Sequence, residues 1–441
     1  MEYTQYREMD SSGVSWLQKK PRHWRIKRLK FSTDLINSKV IAEESLLSYL
    51  GLEHIESWTG RKIDGEISNS EGLASSFIAG DVLFGKLRPY LAKVHLTQQA
   101  GLISSEALVI RSKDELHAEF LKYYMLSRDF INIVDSSTYG SKMPRASWDF
   151  IGNLPVLLPE VEEQKTIARF LDFKTAQIDA LIAKQKTLLE KLAEKRTTLI
   201  SHAVTKGLDP SVPMKESGVA WLGEIPAHWQ VKRLKFLGKT RYGLGEPPQK
   251  LDGGLPFIRA TDIYRGEIDG AKVQTVDPDC VPWSRNPALK AKDILVVRSG
   301  AYTGDSAIVP AQWEGSIAGY DMVYTAEGAF PEYVAFNLLS KYVLNGQIYL
   351  AKNRAAQPHL NAEELGGIVI ALPPPEEQIE IVAYIEKCTK HVAVQFELVN
   401  GVIYLLHEYR SSLITNAVTG KIDVRGVDIS NDKQTKEPAH A

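Results

Sequence analysis

The phrase SGVSWLQKKPRHWRIKRLKF at residues 12–31 returns as SGVAWLGEIPAHWQVKRLKF at residues 217–236, with thirteen of twenty positions identical at an offset of 205. A second echo follows. LPEVEEQKTIARFLDF, beginning at Leu158, matches LPPPEEQIEIVAYIEK, beginning at Leu372, at an offset of 214, which also aligns RTTLISHAVT at 196–205 with RSSLITNAVT at 410–419. Self-similarity at this distance dictates a tandem duplication and must be settled before any other reading. Each copy has an opening phrase, a divergent domain-sized segment (32–157 and 237–371), a shared exit phrase and a long arm.

The arms read as helices. Residues 160–206 contain neither Gly nor Pro and are rich in Leu, Ala, Lys, Glu and Gln, the strong helix formers. Pro159 suits a first turn, Glu160, Glu162 and Glu163 complement the amino-terminal dipole, and Gly207 supplies a stop. At ~1.5 Å per residue such an arm is a rod of roughly 65–70 Å, longer than a domain of this size is wide.

Leu171, Ile178, Leu192 and Leu199 recur at heptad spacing, with Gln185 as the polar member. Ile385, Val392, Val399, Leu406 and Leu413 repeat the pattern in the second arm. A sustained seven-residue stripe marks a coiled-coil seam, and Leu181 and Leu188 are expected at its half-heptad places. The competing arrangement has each stripe facing its own globular domain.

The expected fold is therefore two mixed α/β domains in tandem, separated by two long antiparallel coiled-coil helices with internal pseudo-two-fold symmetry. The boundaries are 1–157 for the first domain, 158–206 for the first helix, 207–371 for the second domain, 372–420 for the second helix and 421–441 for a polar tail. In each opening phrase Trp16, Trp24, Trp221 and Trp229 are expected as apolar anchors where domain meets rod, with Pro21 and Pro226 setting the turn. KRLKF is expected to start a strand, with Leu29 and Phe31 inward and Lys30 outward.

Composition narrows the function class. Hydrophobic residues make up 44% and charged residues 24%, an ordinary globular balance. No apolar run approaches the ~20 residues of a membrane span, and the polar start lacks a signal-peptide core. Two distant cysteines, Cys280 and Cys388, fit a reducing cytoplasm and suggest neither a disulfide framework nor a zinc site. There is no GxxxxGK[ST] loop, HExxH, GxSxG elbow or Asn-Pro-Pro-aromatic stretch, and the ten histidines lack metal-ligand spacing. The expectation is a chain with no catalytic residues, no metal site and no cofactor of its own.

The divergent segments share a plan. AGDVLFGKLRPYLAKVHL at 79–96 and AKDILVVRSGAYTGDSAIV at 291–309 each read as Asp, apolar strand, basic loop, strand; TYGSKMPRAS at 138–147 and AKNRAAQPHLN at 351–361 come late in each. Together with PFIRATDI, LPPPEEQ and LITNAVTGKID, the duplicated layout resembles the specificity subunit of Type I restriction–modification systems, over essentially residues 12–424. The first copy departs from the pattern in LQKKPRHW and GSKMPRAS.

That resemblance implies two target-recognition domains, each reading one half of a bipartite double-stranded DNA sequence, with the helices acting as ruler and docking surface for two DNA adenine-methyltransferase subunits. Restriction and translocase subunits would join that core, and S-adenosylmethionine, ATP and Mg would sit on the partners. A coiled-coil scaffold with two protein-binding heads and no DNA role is the alternative. Residue types that meet base edges and phosphates single out Lys86, Arg88, Tyr90, Ser141, Lys142 and Arg145 in the first domain. In the second they single out Arg298, Tyr302, Arg354, Gln357 and His359, with Arg259 and Arg265 as weaker candidates. Net charge is −1 overall, −4 for residues 32–157 and −2 for residues 237–371, so DNA contact must rest on local basic patches.

Overall fold

The computed structural model describes residues 3–63, 65, 72–352 and 358–429. The chain forms two compact units, one of residues 1–185 with 400–441 and the other of residues 186–399. The division cuts each arm in two, so that each unit holds half of both long helices, Val161–Lys206 and Pro375–Val418.

Each unit carries the same four-stranded antiparallel sheet. In the first the order is Thr33–Ile36, Ala107–Ser112, Val82–Gly85, Val94–Leu96. In the second it is Gly238–Tyr242, Met322–Ala326, Ile294–Val296, Ser306–Ile308. Each unit has a second sheet, of four strands in the first and three in the second, that ends in a parallel pair. An aspartate before each central strand ties the sheet across: Asp81 forks Arg111 at 2.7 and 2.9 Å, and Asp293 accepts from Arg241 at 3.0 Å and from the Thr325 hydroxyl at 2.6 Å. Both carboxylates are buried, and burial is tolerated because they are paired and hydrogen-bonded.

The duplicated phrases build the joint between head and rod. Arg25–Arg28 of the opening phrase pairs antiparallel with Pro155–Leu158, which runs into the exit phrase, and Gln230–Arg233 pairs likewise with Val369–Leu372. Each ribbon leads into its long helix, and the repeated Glu-Gln of the exit phrase then clamps both sides. Glu163 accepts from Tyr6 at 2.7 Å and the Trp24 indole at 3.1 Å and meets His23 Nε2 at 2.8 Å, while Glu377 meets His228 Nε2 at 2.7 Å. Gln164 accepts from the His117 amide at 2.7 Å and Gln378 from the Phe330 amide at 2.8 Å, fixing the first turn of a head helix in each copy.

A glycine closes each socket. Gly207 and Gly420 end the rods in the left-handed conformation, at φ +74° and +71°, against Trp229 and Trp24 respectively. Only glycine adopts that backbone without penalty where a Cβ would also press on a ring.

Three expectations are corrected here. The strand of the opening phrase stops at Arg28 and Arg233, and a single helical turn follows at Leu29–Ser32 and Leu234–Phe236. Leu29 is buried but Phe31 and Phe236 point outward at 60% and 69% exposure, because a turn puts residues two apart on different faces where a strand would not. Trp24 and Trp229 are buried anchors, whereas Trp221 is half exposed and Trp16 only partly covered. Finally, the assigned polar tail is in part structural. Val424 is buried in the first unit and the Asp423 amide donates to the Thr4 carbonyl at 2.8 Å.

The long helices meet within each unit, running antiparallel. In the first, Asp179 binds Arg410 at 3.0 Å, Glu163 near the start of its helix lies 3.8 Å from Arg425 just past the end of the other, and Leu171, Ile178 and Ile182 share a core with Leu413, Ile414 and Ala417. In the second, Ile200, Ala203 and Val204 share a core with Ile381, Val382 and Ile385. Leu192, Val392 and Val399 are buried; Leu199 and Leu406 are partly buried. The companion stripe lies four residues beyond the first, at Thr175, Ile182, Leu189, Arg196 and Ala203, and again at Thr389, Phe396, Ile403, Arg410 and Ala417. Leu181 and Leu188, three residues beyond, are 47% and 41% exposed and are no part of the seam. Among the described residues no helix is long and apolar enough to cross a membrane.

Candidate nucleic-acid interface

The central strand of each head delivers its basic loop to one edge of the sheet, and the late loop is stitched to it backbone to backbone. In the first head the Lys86 amide donates to Glu106 O at 2.9 Å, the Ala146 amide to Lys86 O at 3.0 Å, and the Arg88 amide to Pro144 O at 2.8 Å. In the second the Leu360 amide donates to Arg298 O at 2.8 Å, Ser299 and His359 form a β-bridge, and Thr303 Oγ1 donates to Pro358 O at 3.2 Å. Candidate residues some fifty to sixty positions apart in sequence are thus brought together in both heads.

The chemistry at the shared position differs. In the first head Arg88 and Lys142 are exposed, with no ion pair to either side chain among the described residues, and Tyr90 and Ser141 are exposed as well. Arg88 takes the left-handed conformation at φ +50°, directly before Pro89. Lys86 is half-buried. Arg145 is engaged: its guanidinium forks Glu106 at 2.9 and 3.1 Å, and that hydrogen bonding holds the Glu106 carboxyl below the usual carboxylate range.

In the second head the Arg298 guanidinium packs on the rings of Tyr320 and Tyr242, at 4.4 and 4.7 Å from their centroids. The Tyr242 hydroxyl accepts from the Ala362 amide at 2.9 Å, and the Arg298 amide donates to Asp321 Oδ1 at 3.1 Å. Burial pushes the Asp321 carboxyl up to about 6. Tyr302 is exposed and His359 half-buried. Arg259 is spent within the fold, forking the fully buried Asp262 at 2.8 and 3.1 Å and donating to Lys272 O at 2.9 Å. Arg265 is exposed, left-handed at φ +45°, and stacks over Tyr264 at 5.3 Å. Arg354 and Gln357 lie outside the described residues.

Sequence reasoning missed Tyr242, Tyr320 and Glu106. Extending the strand register places Tyr320 opposite Arg298 as Glu106 stands opposite Lys86. Both residues precede a strand that pairs with the central one, and that register was the available signal. Tyr242 gave none, because it reaches Arg298 only through the third strand of the sheet.

Comparison with known proteins agrees with this architecture. The family model for the Type I restriction modification DNA specificity domain matches residues 67–191 and 226–398, and the chain belongs to that family. It is accordingly a DNA specificity subunit of the Type I restriction–modification class, a family of non-catalytic components. It is 24% identical over 326 residues to the Type I restriction enzyme EcoKI specificity subunit of Escherichia coli strain K12, covering 71% of this chain and 68% of that one. It is 21% identical over 430 residues to the MjaVIII specificity subunit of Methanocaldococcus jannaschii, covering 92% and 95% respectively. A solved chain from a study of complex assembly and conformational transition in a type I system superposes with a TM-score of 0.67 at 18% identity, over 90% of this chain and 98% of that one. That last likeness is one of fold.

Proposed function

We propose that each head reads one half of a bipartite double-stranded DNA target through the paired loops at its sheet edge, and that the long helices set the unread gap. The observation that carries the reading is the contrast between equivalent positions. One scaffold presents Lys86, Arg88 and Arg145 in one copy and Arg298, Tyr302 and His359 in the other. Identical frames with different contact chemistry are what recognition of two unlike half-sites requires, since base edges specify and phosphates only position. The half-site spacing is then a consequence of protein geometry, as it is for dimeric repressors.

The chemistry belongs to partners. Two DNA adenine-methyltransferase subunits dock on the helices and bring S-adenosylmethionine; restriction and translocase subunits bring the ATP- and Mg-dependent cleavage, in the cytoplasm. The second long helix supports docking, because Val402, Tyr404, Leu405 and Tyr409 are exposed along one stretch of it in the first unit. An acidic balance in both divergent segments means the subunit alone binds DNA weakly and with strong salt dependence, the assembly tightly.

The test is an exchange. Residues 237–371 are replaced by the corresponding segment of a relative, the chimera is assembled with the methyltransferase subunits, and methylated positions are mapped by sequencing. One half of the motif should change while the other half and the gap persist. An unchanged motif, or one altered in both halves, refutes the assignment.

A further inference from the structure

The structure assigns to Arg298, held by Tyr242 and Tyr320, the reading of a guanine in the major groove of one half-site. This inference rests on the proposal that the heads read DNA and names the base and the device.

A free arginine has ~2 kcal/mol of rotamer entropy to lose on engaging a base, so an arginine that specifies sequence gains from being held in place beforehand. Arg298 is held. Two rings pack on its guanidinium, whose central carbon lies 4.4 Å from the Tyr320 centroid and 4.7 Å from that of Tyr242, each within the reach of a cation–π contact. One wall is locked in turn, since the Tyr242 hydroxyl accepts from the Ala362 amide at 2.9 Å. The main chain at Arg298 is pinned on both sides, its amide to Asp321 Oδ1 at 3.1 Å and its carbonyl to the Leu360 amide at 2.8 Å. Nε is buried and has no hydrogen-bond partner among the described residues. Neither Nη is buried without a partner, and Arg298 as a whole is part-exposed, which leaves the edge that carries the two Nη groups to meet a ligand.

A fixed pair of parallel N–H donors matches the O6 and N7 acceptors of guanine, the commonest specific contact of arginine with DNA. A phosphate is the other anionic or acceptor surface such a group meets, and two features disfavour it here. The buried Asp321 carboxyl, which accepts from the Arg298 amide, interacts with the guanidinium charge and offsets it in part, which weakens attraction to a phosphate but leaves directed hydrogen bonds to a neutral base intact. The aromatic walls present apolar ring surface that suits flat base faces better than phosphate oxygens. The first head has no such device. At the equivalent place Lys86 stands beside a Glu106–Arg145 fork, so the guanine contact belongs to one half-site only.

The experiment uses the specificity subunit assembled with its methyltransferase subunits on a randomised DNA library, with methylated sites mapped by sequencing. Arg298→Lys keeps the charge and removes the fork, and Tyr320→Leu removes one wall. In the wild type one half-site should contain a guanine whose replacement lowers methylation about 10- to 100-fold, the discrimination of one bidentate pair. Arg298→Lys should abolish that preference at this position alone, and Tyr320→Leu should reduce it, both leaving the other half-site and the gap unchanged. Uniform loss of methylation with the base preference intact marks a phosphate contact and overturns the proposal. So does an unaltered motif in both variants. If the wild-type assembly yields no two-part motif, the reading of DNA by the heads fails first. Because Tyr320 is half exposed, that variant decides the matter should Arg298→Lys fold poorly.

Discussion

Asp179→Ala should destabilise the first unit by about 3 kcal/mol, close to the lower end of the range for stripping one partner from a buried ion pair. Arg410 and Asp179 are only 6% and 9% exposed in their side chains, and the guanidinium forks the carboxylate at 3.0 and 3.4 Å. Two further bonds, to Trp58 O at 2.8 Å and Thr59 O at 3.4 Å, anchor a head loop whose Trp58 sits at φ +65°. Removing the carboxylate leaves a buried cation whose remaining hydrogen bonds among the described residues are to carbonyl dipoles, which keeps the cost below the ~5 kcal/mol of a fully orphaned charge. The contact with Arg61 at 3.8 Å is lost as well, but half-exposed pairs contribute little. For a unit of about two hundred residues, about 2–4 °C per kcal/mol translates the loss into a fall in Tm of roughly 6–12 °C.

Calorimetric or urea unfolding of the single variants and of Asp179→Leu with Arg410→Met supplies the cycle. The double variant should recover to within about 1 kcal/mol of wild type, since a buried pair replaced by apolar groups of similar volume is near neutral. A double variant as unstable as Asp179→Ala would refute the reasoning, because the loss would then come from packing or the loop and not from an uncompensated charge. Arg196 is aligned with Arg410 at the offset of 214, but the position aligned with Asp179 is Ala393, and among the described residues the Arg196 guanidinium donates to Arg265 O at 3.0 Å. Arg196→Met should cost the second unit about 1 kcal/mol, one hydrogen bond.

Gly420→Ala should cost about 2–4 kcal/mol, because its Cβ would lie 2.3 Å from Pro21 Cδ in addition to the left-handed strain of about 1–2 kcal/mol; Gly207→Ala, with its nearest neighbour at 3.3 Å, should cost about the strain alone, both read by urea unfolding. Ile182→Ala should destabilise by about 2–3 kcal/mol and Leu181→Ala by less than about 0.5 kcal/mol, and a reversed order would contradict the seam described above. Asp321 provides a pH signature. Its folded value of about 6 lies above the ordinary 3.8, so between those values the folded state holds more protons than the unfolded state and stability falls as pH rises. The deficit is complete above about pH 6, and Asp321→Asn should exceed wild type by about 3 kcal/mol at pH 7.5 with the difference vanishing near pH 4.

Much was legible in the residues alone. Duplication, rod length, the two arm stripes and the paired basic loops follow from repeat and periodicity, because a helix of this composition has few other states open to it and a repeated phrase must build a repeated joint. What those phrases do was not legible. That Glu163 and Glu377 hold the opening histidines, and that Gln164 and Gln378 begin a head helix, depends on contacts between residues roughly fifty to one hundred and fifty positions apart.

Tertiary packing alone also chose between apolar neighbours. Leu181 and Ile182, like Leu188 and Leu189, offer a seam equally well on hydrophobicity, since heptad partners are separated by three residues in one direction and four in the other. Only the position of the facing helix selects one. The same holds for charge. Arg145, Arg259 and Arg298 are alike as letters, yet a glutamate, a buried aspartate and a pair of tyrosines give them different work, because a guanidinium binds whatever acceptor or ring the fold carries to it.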